Sequence, residues 1–251
     1  LLYSSEGRAM RNLTKFVCLT NIVLSFNSIA VHAEEVKSKA GDDNIYAFAN
    51  YGIAKHNAGV NATAASGSLS ISTTSDDEGT AVTLGIGWQK NDHLSFEVYA
   101  GKVDGFGATT TVTATNASAW GYTINGSLSL NEDISTDLIG ANMIIGDTAR
   151  FSEGGSFSYF GKLGLVNYKI KDKVSLSGSG TINGTSYNIS SPALITLEKD
   201  GTGASLGAGV AYTTADNLEL SFGVDYIPNV GGGDLVEADI TVYNFGLAVK
   251  F

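Results

Sequence analysis

Three residue types are nearly missing from this chain, which holds one cysteine, two prolines and three histidines in 251 residues. The cysteine, Cys18, falls in an N-terminal stretch that export would remove. The mature chain is therefore expected to carry no disulfide, no thiol chemistry and no lipid-anchored cysteine. Two prolines exclude a proline-rich disordered chain, and 31 glycines without a Gly-X-Y period exclude collagen. Charge is also scarce, at 16% of residues against about 25% in an ordinary soluble domain. Long apolar runs are missing too: after residue 33 nothing approaches the roughly 20 apolar residues that a spanning helix needs.

What the N-terminus does have is a targeting pattern. Arg11 and Lys15 precede an apolar stretch from Phe16 to Ile29, and Val31-His32-Ala33 supplies a cleavage site. Asn21, Ser25, Asn27 and Ser28 dilute that stretch too far for a transmembrane anchor. Residues 1–33 are read as upstream residues plus a secretory signal peptide, with Met10 the expected initiator and cleavage after Ala33. Residues 34–44 are read as a flexible periplasmic lead, and 45–251 as the folded domain. Removing 1–33 leaves 12 basic and 24 acidic residues, a net charge of about −12, which argues against a nucleic-acid partner.

From Ile45 onward the period is two. In the closing YNFGLAVKF, Tyr243, Phe245, Leu247, Val249 and Phe251 share one face, and Asn244, Gly246, Ala248 and Lys250 share the other. In 79–89, Val82, Leu84, Ile86 and Trp88 oppose Thr83, Gly85 and Gly87. After the KNDH turn, Leu94, Phe96, Val98 and Ala100 oppose Ser95, Glu97, Tyr99 and Gly101. GTGASLGAG at 201–209 echoes GTAVTLGIG at 79–87, which points to a repeated hairpin. With 45–54, 136–145, 157–170, 218–227 and 236–251 the count is eight strands. Long connectors are expected at about 55–78, 104–134 and 171–200, with shorter ones between them. The stretches 119–130 and 174–189 alternate as well, so ten strands is the alternative. They are read as hairpin extensions of the long loops.

The large apolar face needs a cover, and the face opposite is rich in glycine, serine, threonine and asparagine with single charges. A soluble sandwich would turn the apolar faces to each other. A membrane barrel turns them to lipid and fills its interior with small or polar residues. The expected fold is thus all-β, an eight-stranded antiparallel up-and-down transmembrane β-barrel whose interior is just wide enough for side chains. Trp88, Tyr212 and Phe251 are expected at the short-turn rim, and Tyr51 and Tyr226 near the long-loop rim, as interfacial aromatics.

The terminal NFGLAVKF, with Asn244, Gly246, Val249 and Phe251 in polar-x-Gly-x-x-apolar-x-aromatic spacing, resembles the insertion signal of bacterial outer-membrane proteins. The hairpins TLGIGWQKNDHLSFEVYAG and YFGKLGLVNY resemble those of the small outer-membrane barrels: the OmpA-like transmembrane domain, the opacity proteins and the OmpW-type porin-like proteins. The resemblance covers 45–251 through pattern and a few short motifs. It implies insertion by the barrel assembly machinery and a monomer surrounded by outer-membrane lipids and lipopolysaccharide. It carries no wall-tethering role, because the peptidoglycan-binding domain of full-length OmpA has no counterpart in this sequence.

The chemistry on offer is sparse. His56 and His93 are expected at opposite rims of an apolar band about 25 Å tall, too far apart for one centre. The remaining catalytic candidate is His56 with Asp76, Asp77 or Glu78, and the plainer reading is a solvated loop histidine. The Asp76-Asp77-Glu78 run lacks the spacing of a calcium loop, so no metal and no cofactor are expected. Glu97, Lys162, Glu219 and Asp225 are read as a polar network in the lumen, with Lys162 pairing Glu97 or Glu219, because a lone buried charge is costly. Five Asn-x-Ser/Thr sites, at Asn61, Asn116, Asn125, Asn183 and Asn188, reflect polar loops rather than glycosylation in a bacterial protein. The function expected is a non-enzymatic structural or surface-interaction barrel, with a narrow solute channel as the alternative and a lipid-modifying enzyme the weakest reading.

Overall fold

The computed structural model describes residues 44–57, 61–151, 155–214, 217–232 and 235–251. The expected signal peptide and residues 34–43 of the expected lead lie outside the described residues, and Asn44, read as the last residue of that lead, opens the first strand. The strands are β1 Asn44–His56, β2 Ala62–Ser66, β3 Leu69–Asp76, β4 Glu78–Asn91, β5 Leu94–Ala119, β6 Tyr122–Arg150, β7 Ser156–Ile182, β8 Thr185–Thr213, β9 Leu218–Gly232 and β10 Leu235–Lys250.

Eight of them close on themselves. The antiparallel order runs β5-β4-β1-β10-β9-β8-β7-β6, and β6 pairs with β5 again. The seam is the first strand against the last: Tyr46 faces Lys250, and the Phe251 amide donates to the Ile45 carbonyl at 2.9 Å. A closed ring pairs every backbone group within the band and leaves no edge there. The extra two strands are not part of the ring. β2 and β3 form a hairpin inside the first long connector and lie against the upper half of β5. The fold is the eight-stranded barrel, not the ten-stranded one.

The long connectors differ from expectation. Segments 104–134 and 171–200 are mostly strand, because β5 to β8 run unbroken for 26, 29, 27 and 29 residues, while β1 and β4 have 13 and 14. Crossing a bilayer takes about 9–11 tilted residues. The upper halves of β5–β8, with β2 and β3, therefore stand beyond the ring as an open, curved six-stranded sheet. Two of its three hairpin tips are the tight turns Trp120-Gly121 and Asn183-Gly184, in which all four residues have positive φ. Asn-Gly with both residues left-handed is the two-residue hairpin turn whose twist matches that of its strands.

The pattern reverses along these strands. Within the ring Val98, Ile139, Leu165 and Leu206 point outward. A bulge between Asp104 and Phe106, with Gly105 at φ 97°, turns Phe106 into the core. In the open sheet one rung reads Ile71, Val112, Leu128, Gly178, Ile189 on the lumen-side face. The adjacent rung reads Thr63, Ser72, Thr111, Ser129, Ser177, Ser190 on the outer face. Hydroxyls bond across that outer face, Thr111 to Ser129 at 2.8 Å and Thr109 to Asn131 at 3.2 Å. Threonine keeps a β-branched strand preference while its hydroxyl meets water.

Candidate functional site at the lumen and the outer sheet

On the outside of the ring the apolar side chains stay uncovered. Ile53, Leu84, Ile86, Ile139, Leu163, Leu165, Phe222 and Tyr243 are all exposed. Such a continuous band exceeds by far the few hundred Å² of apolar patch that a soluble monomer shows. Trp88 stacks on Phe96 at 5.8 Å, and Tyr212 meets Phe151 at 6.5 Å, both at the short-turn end. At the other end, Tyr51 faces Phe245 and Tyr243 faces Ile53 across the β1–β10 seam, and Tyr226 pairs with Thr241.

A charged ring follows on the long-loop side: Lys55 with Glu78 at 3.0 Å, Lys102 with Asp104 at 2.9 Å, Lys171 with Asp137 at 2.9 Å, and Lys169 with Glu198. The bonded Lys171 ammonium holds the Asp137 carboxyl below its ordinary value. The outer wall is thus layered along the strands: aliphatic, then ion-paired, then hydroxyl-covered.

Inside, the lumen has two layers of opposite character. The one toward the short turns is charged. Lys162 Nζ lies 3.7 Å from Glu97 Oε2, and their side chains are 11% and 8% exposed. The Tyr46 hydroxyl donates to Glu97 Oε1 at 3.0 Å. Asp225 accepts from Asn244 at 2.6 Å, and Glu219 pairs with Lys250 at 2.7 Å while also accepting from Thr213. Of the alternatives for Lys162, the structure forms the ion pair with Glu97. Glu219 instead takes Lys250, a lumen cation that sequence reasoning placed on the polar face but gave no partner.

The layer toward the long-loop side corrects the expectation of a uniformly small and polar interior. Ala54, Ala81, Val103, Phe106, Leu138, Val166, Tyr168, Ile170, Ile227, Val230, Ile240 and Val242 form a dry cluster there. Val103 and Val166 are 0% exposed and Ile240 1%. The glycines explain how large inner side chains fit in so narrow a ring. Tyr99 lays its ring over Gly140, where any added methyl would strike it, and Phe48 does the same at Gly85. Small residues across the wall make room for aromatics, rather than for polar chains alone. Two small cavities, of about 40 and 80 Å³, lie on either side of the Glu97–Lys162 pair, and both are lined by it. Each is sized for a few waters.

The predicted insertion-signal residues divide between the two faces. Asn244 and Gly246 point inward, Gly246 facing Asn50 and Ser221, whereas Val249 continues the outward row that Phe245 shares. The catalytic candidate is only partly brought together, with His56 beside Asp77. The His56 amide donates to the Asp77 carbonyl at 3.0 Å, its ring tilts over Phe106 at 5.1 Å, and Glu78 is taken by Lys55. Burial holds the His56 imidazole below its ordinary pKa. His93 sits at the opposite rim, with Nδ1 3.4 Å from Asp147. Among the described residues no group of three His, Cys, Asp or Glu side chains is placed to hold a metal.

Two features escaped sequence reasoning. Asp172, on the inner face just beyond the apolar cluster, is 5% exposed, and its Oδ1 has no hydrogen-bond partner among the described residues. Glu132 is its carboxyl neighbour; burial first, then the facing Asp172, push Glu132 above its ordinary pKa, and burial also raises Asp172. Trp120 is 96% exposed at a hairpin tip with φ 49°. The alternation of 119–130 marked the strand, but nothing in it marked the tip.

No family model and no curated protein sequence matches the chain. Among solved structures it is similar to Neisserial surface protein A at 18% identity, covering 85% of this chain and 100% of that one with a TM-score of 0.40. It is also similar to Ail, the attachment invasion locus protein of Yersinia pestis, in complex with the heparin analogue sucrose octasulfate, at 13% identity, 85% and 100% coverage and a TM-score of 0.42. The outer membrane protein OprG from Pseudomonas aeruginosa aligns at 14% identity over 84% and 98% of the two chains, with a TM-score of 0.42. The fold assigned here stands on the ring of strand pairings.

Proposed function

We propose that the chain is a non-enzymatic integral protein of the bacterial outer membrane, with a structural and surface-interaction role, a closed lumen and long strands presented outside the cell. The observation that carries this reading is the pairing of an uncovered outer apolar band with a lumen filled on both levels. Lipid is the environment in which that band needs no protein partner, and a closed barrel is the sheet that can occupy it. The lumen contents argue for a structural role over a channel. An apolar layer with fully buried Val103 and Val166 stands in series with the Glu97–Lys162 pair, so an ion would have to cross both. The aliphatic, ion-paired and hydroxyl layers of the outer wall suit acyl chains, phosphates and sugars in turn. Lipopolysaccharide is the lipid partner this layering supports, and insertion would run through the barrel assembly machinery.

The decisive experiment is cell fractionation followed by gel electrophoresis in detergent with and without boiling. The chain is expected in the outer-membrane fraction, migrating faster unboiled than boiled. A soluble species whose mobility ignores heating would end the barrel reading. In planar bilayers the purified protein is expected to give no discrete opening steps, and steps that disappear in Lys162→Ala would reinstate the channel. Lipid A from expressing cells is expected to keep its mass, and a shifted mass would point to the enzyme.

A further inference from the structure

The lumen carboxylates have donors: Glu97 has Lys162 and the Tyr46 hydroxyl, Glu219 has Lys250, and Asp225 has Asn244. The pair at the outer mouth has none. There the inner row of β6 reads Leu130, Glu132, Ile134 and that of β7 reads Ile170, Asp172, Val174, so one carboxylate interrupts each apolar row. Asp172 lies opposite Ile134 and Glu132 opposite Val174, which makes the two carboxylates diagonal neighbours on one face, within hydrogen-bonding reach of each other.

The charges that act on this pair are acidic: each other, and Asp133 on Asp172. Lys171 and Lys173, which flank Asp172, alternate to the outer face, where Lys171 is taken by Asp137. Among the described residues neither Glu132 nor Asp172 forms a salt bridge. The pair also borders a space. A cavity of about 30 Å³ is lined by His56, Phe106, Glu132, Thr136, Asp172 and Ile240, among others. Asp172 is 5% exposed and its Oδ1 has no hydrogen-bond partner among the described residues, whereas Glu132 is half-buried and opens the cavity toward the mouth. Thr136, 2% exposed, adds a hydroxyl, and the His56 ring against Phe106 closes one wall. The volume suits one ion with its water.

We propose that Glu132 and Asp172 hold a calcium ion at the outer mouth of the barrel. Two carboxylates and a hydroxyl form an all-oxygen wall, the donor set of a hard cation. Calcium accepts about six to eight oxygens in irregular geometry and completes its shell with carbonyls and water, so two side-chain carboxylates can suffice; magnesium demands a near-ideal octahedron and dehydrates reluctantly. The expectation of no metal was formed on Asp76-Asp77-Glu78, and the site uses other residues. A bound cation gives the buried Asp172 charge the partner it lacks. It also fastens β6 to β7 beside the bulge at Asp104–Phe106, where the ring gives way to the open sheet.

The outward position of this site rests on the proposed outer-membrane reading, and its test separates the two. The mature chain, free of lipopolysaccharide in a nonionic detergent, is heated at pH 7 in chelator, in calcium chloride up to about 10 mM, or in sodium chloride of matched ionic strength, and the conversion of its fast-migrating band to the slow one is followed. Calcium is expected to raise the conversion temperature and to slow hydrogen exchange at 130–136 and 170–174, with calorimetric titration giving one site of about 0.1–1 mM affinity, the range of extracellular calcium modules. Asp172→Asn and Glu132→Gln are each expected to weaken that affinity about tenfold or more, and Asp133→Asn, on the outer face, to keep it. In chelator Asp172→Asn is expected to convert at a higher temperature than the parent, because it relieves the unpaired charge, so a lost calcium response is not a lost fold. A parent indifferent to calcium, a response that Asp172→Asn keeps or that Asp133→Asn loses equally, or the same rise in sodium chloride overturns the site and leaves the barrel standing. A chain whose mobility ignores heating in chelator removes both.

Discussion

Lys162 and Glu97 sit next to each other in a space that water barely reaches, with the Tyr46 hydroxyl on the far oxygen of the carboxylate. Removing one partner of such a pair leaves the other charge buried alone, a cost of about 3–5 kcal/mol. Lys162→Met is expected to lower sharply the temperature at which the fast-migrating folded band converts to the slow one. Adding Glu97→Gln should recover most of the loss; if both variants melt together, the pair is not the source of the effect. Asp172 makes a different case. Burial raises the pKa of Glu132 and of Asp172 above their ordinary values, so at neutral pH ionising the pair works against the folded state. Stability from this source is whole below the ordinary carboxylate range and is lost as pH rises through the raised values. Asp172→Asn is expected to increase thermal stability at pH 7 and to make no difference near pH 4. Equal gains at both pH values would remove titration as the cause. The sequence made Glu97 and Lys162 legible as single charges on a small-residue face. Asp172 was not legible, because its isolation depends on what β6 and β1 bring across the barrel mouth.

Single elements carry the extended sheet. The Asn183-Gly184 turn holds the β7–β8 hairpin with two left-handed residues, and a β-branched residue at Gly184 opposes that conformation by about 1–2 kcal/mol. Gly184→Val is expected to speed hydrogen exchange in 174–195 while leaving the ring amides of the same strands protected, since local openings need not follow the global one. Uniform loss of protection along β7 and β8 would show that sheet and ring unfold as one unit. Within the ring, Gly140→Val would place two methyls in the ring of Tyr99. This change is expected to lower the conversion temperature far more than Ala141→Val, whose side chain faces outward. The existence of each ring strand was readable from alternation; β2 and β3, which fall in the stretch read as a connector, and the Asn183-Gly184 turn were not read. The lengths of β5–β8 were not, because the outward face changes from aliphatic to hydroxyl at the membrane boundary and the strand there reads as a polar loop.

The whole molecule is decided at its seam. β1 meets β10 from Tyr46–Lys250 to His56–Ile240, so closure waits for the last strand to be in place. Deleting Phe251 is expected to reduce the fraction that reaches the heat-modifiable form in cells, with little change in the melting of whatever does assemble. Normal assembly of the truncated chain would count against an insertion signal at Asn244, Gly246, Val249 and Phe251. By itself the sequence determined the two-residue period, the choice of which face is aliphatic and the small set of ionisable groups, because these are properties of composition and spacing along one strand. Only the tertiary structure decided that Glu219 belongs to Lys250, that the far half of the lumen is apolar and that β8 ends in an unpaired edge. Each of these depends on register between strands distant in the chain, and alternation along one strand carries no information about its neighbour.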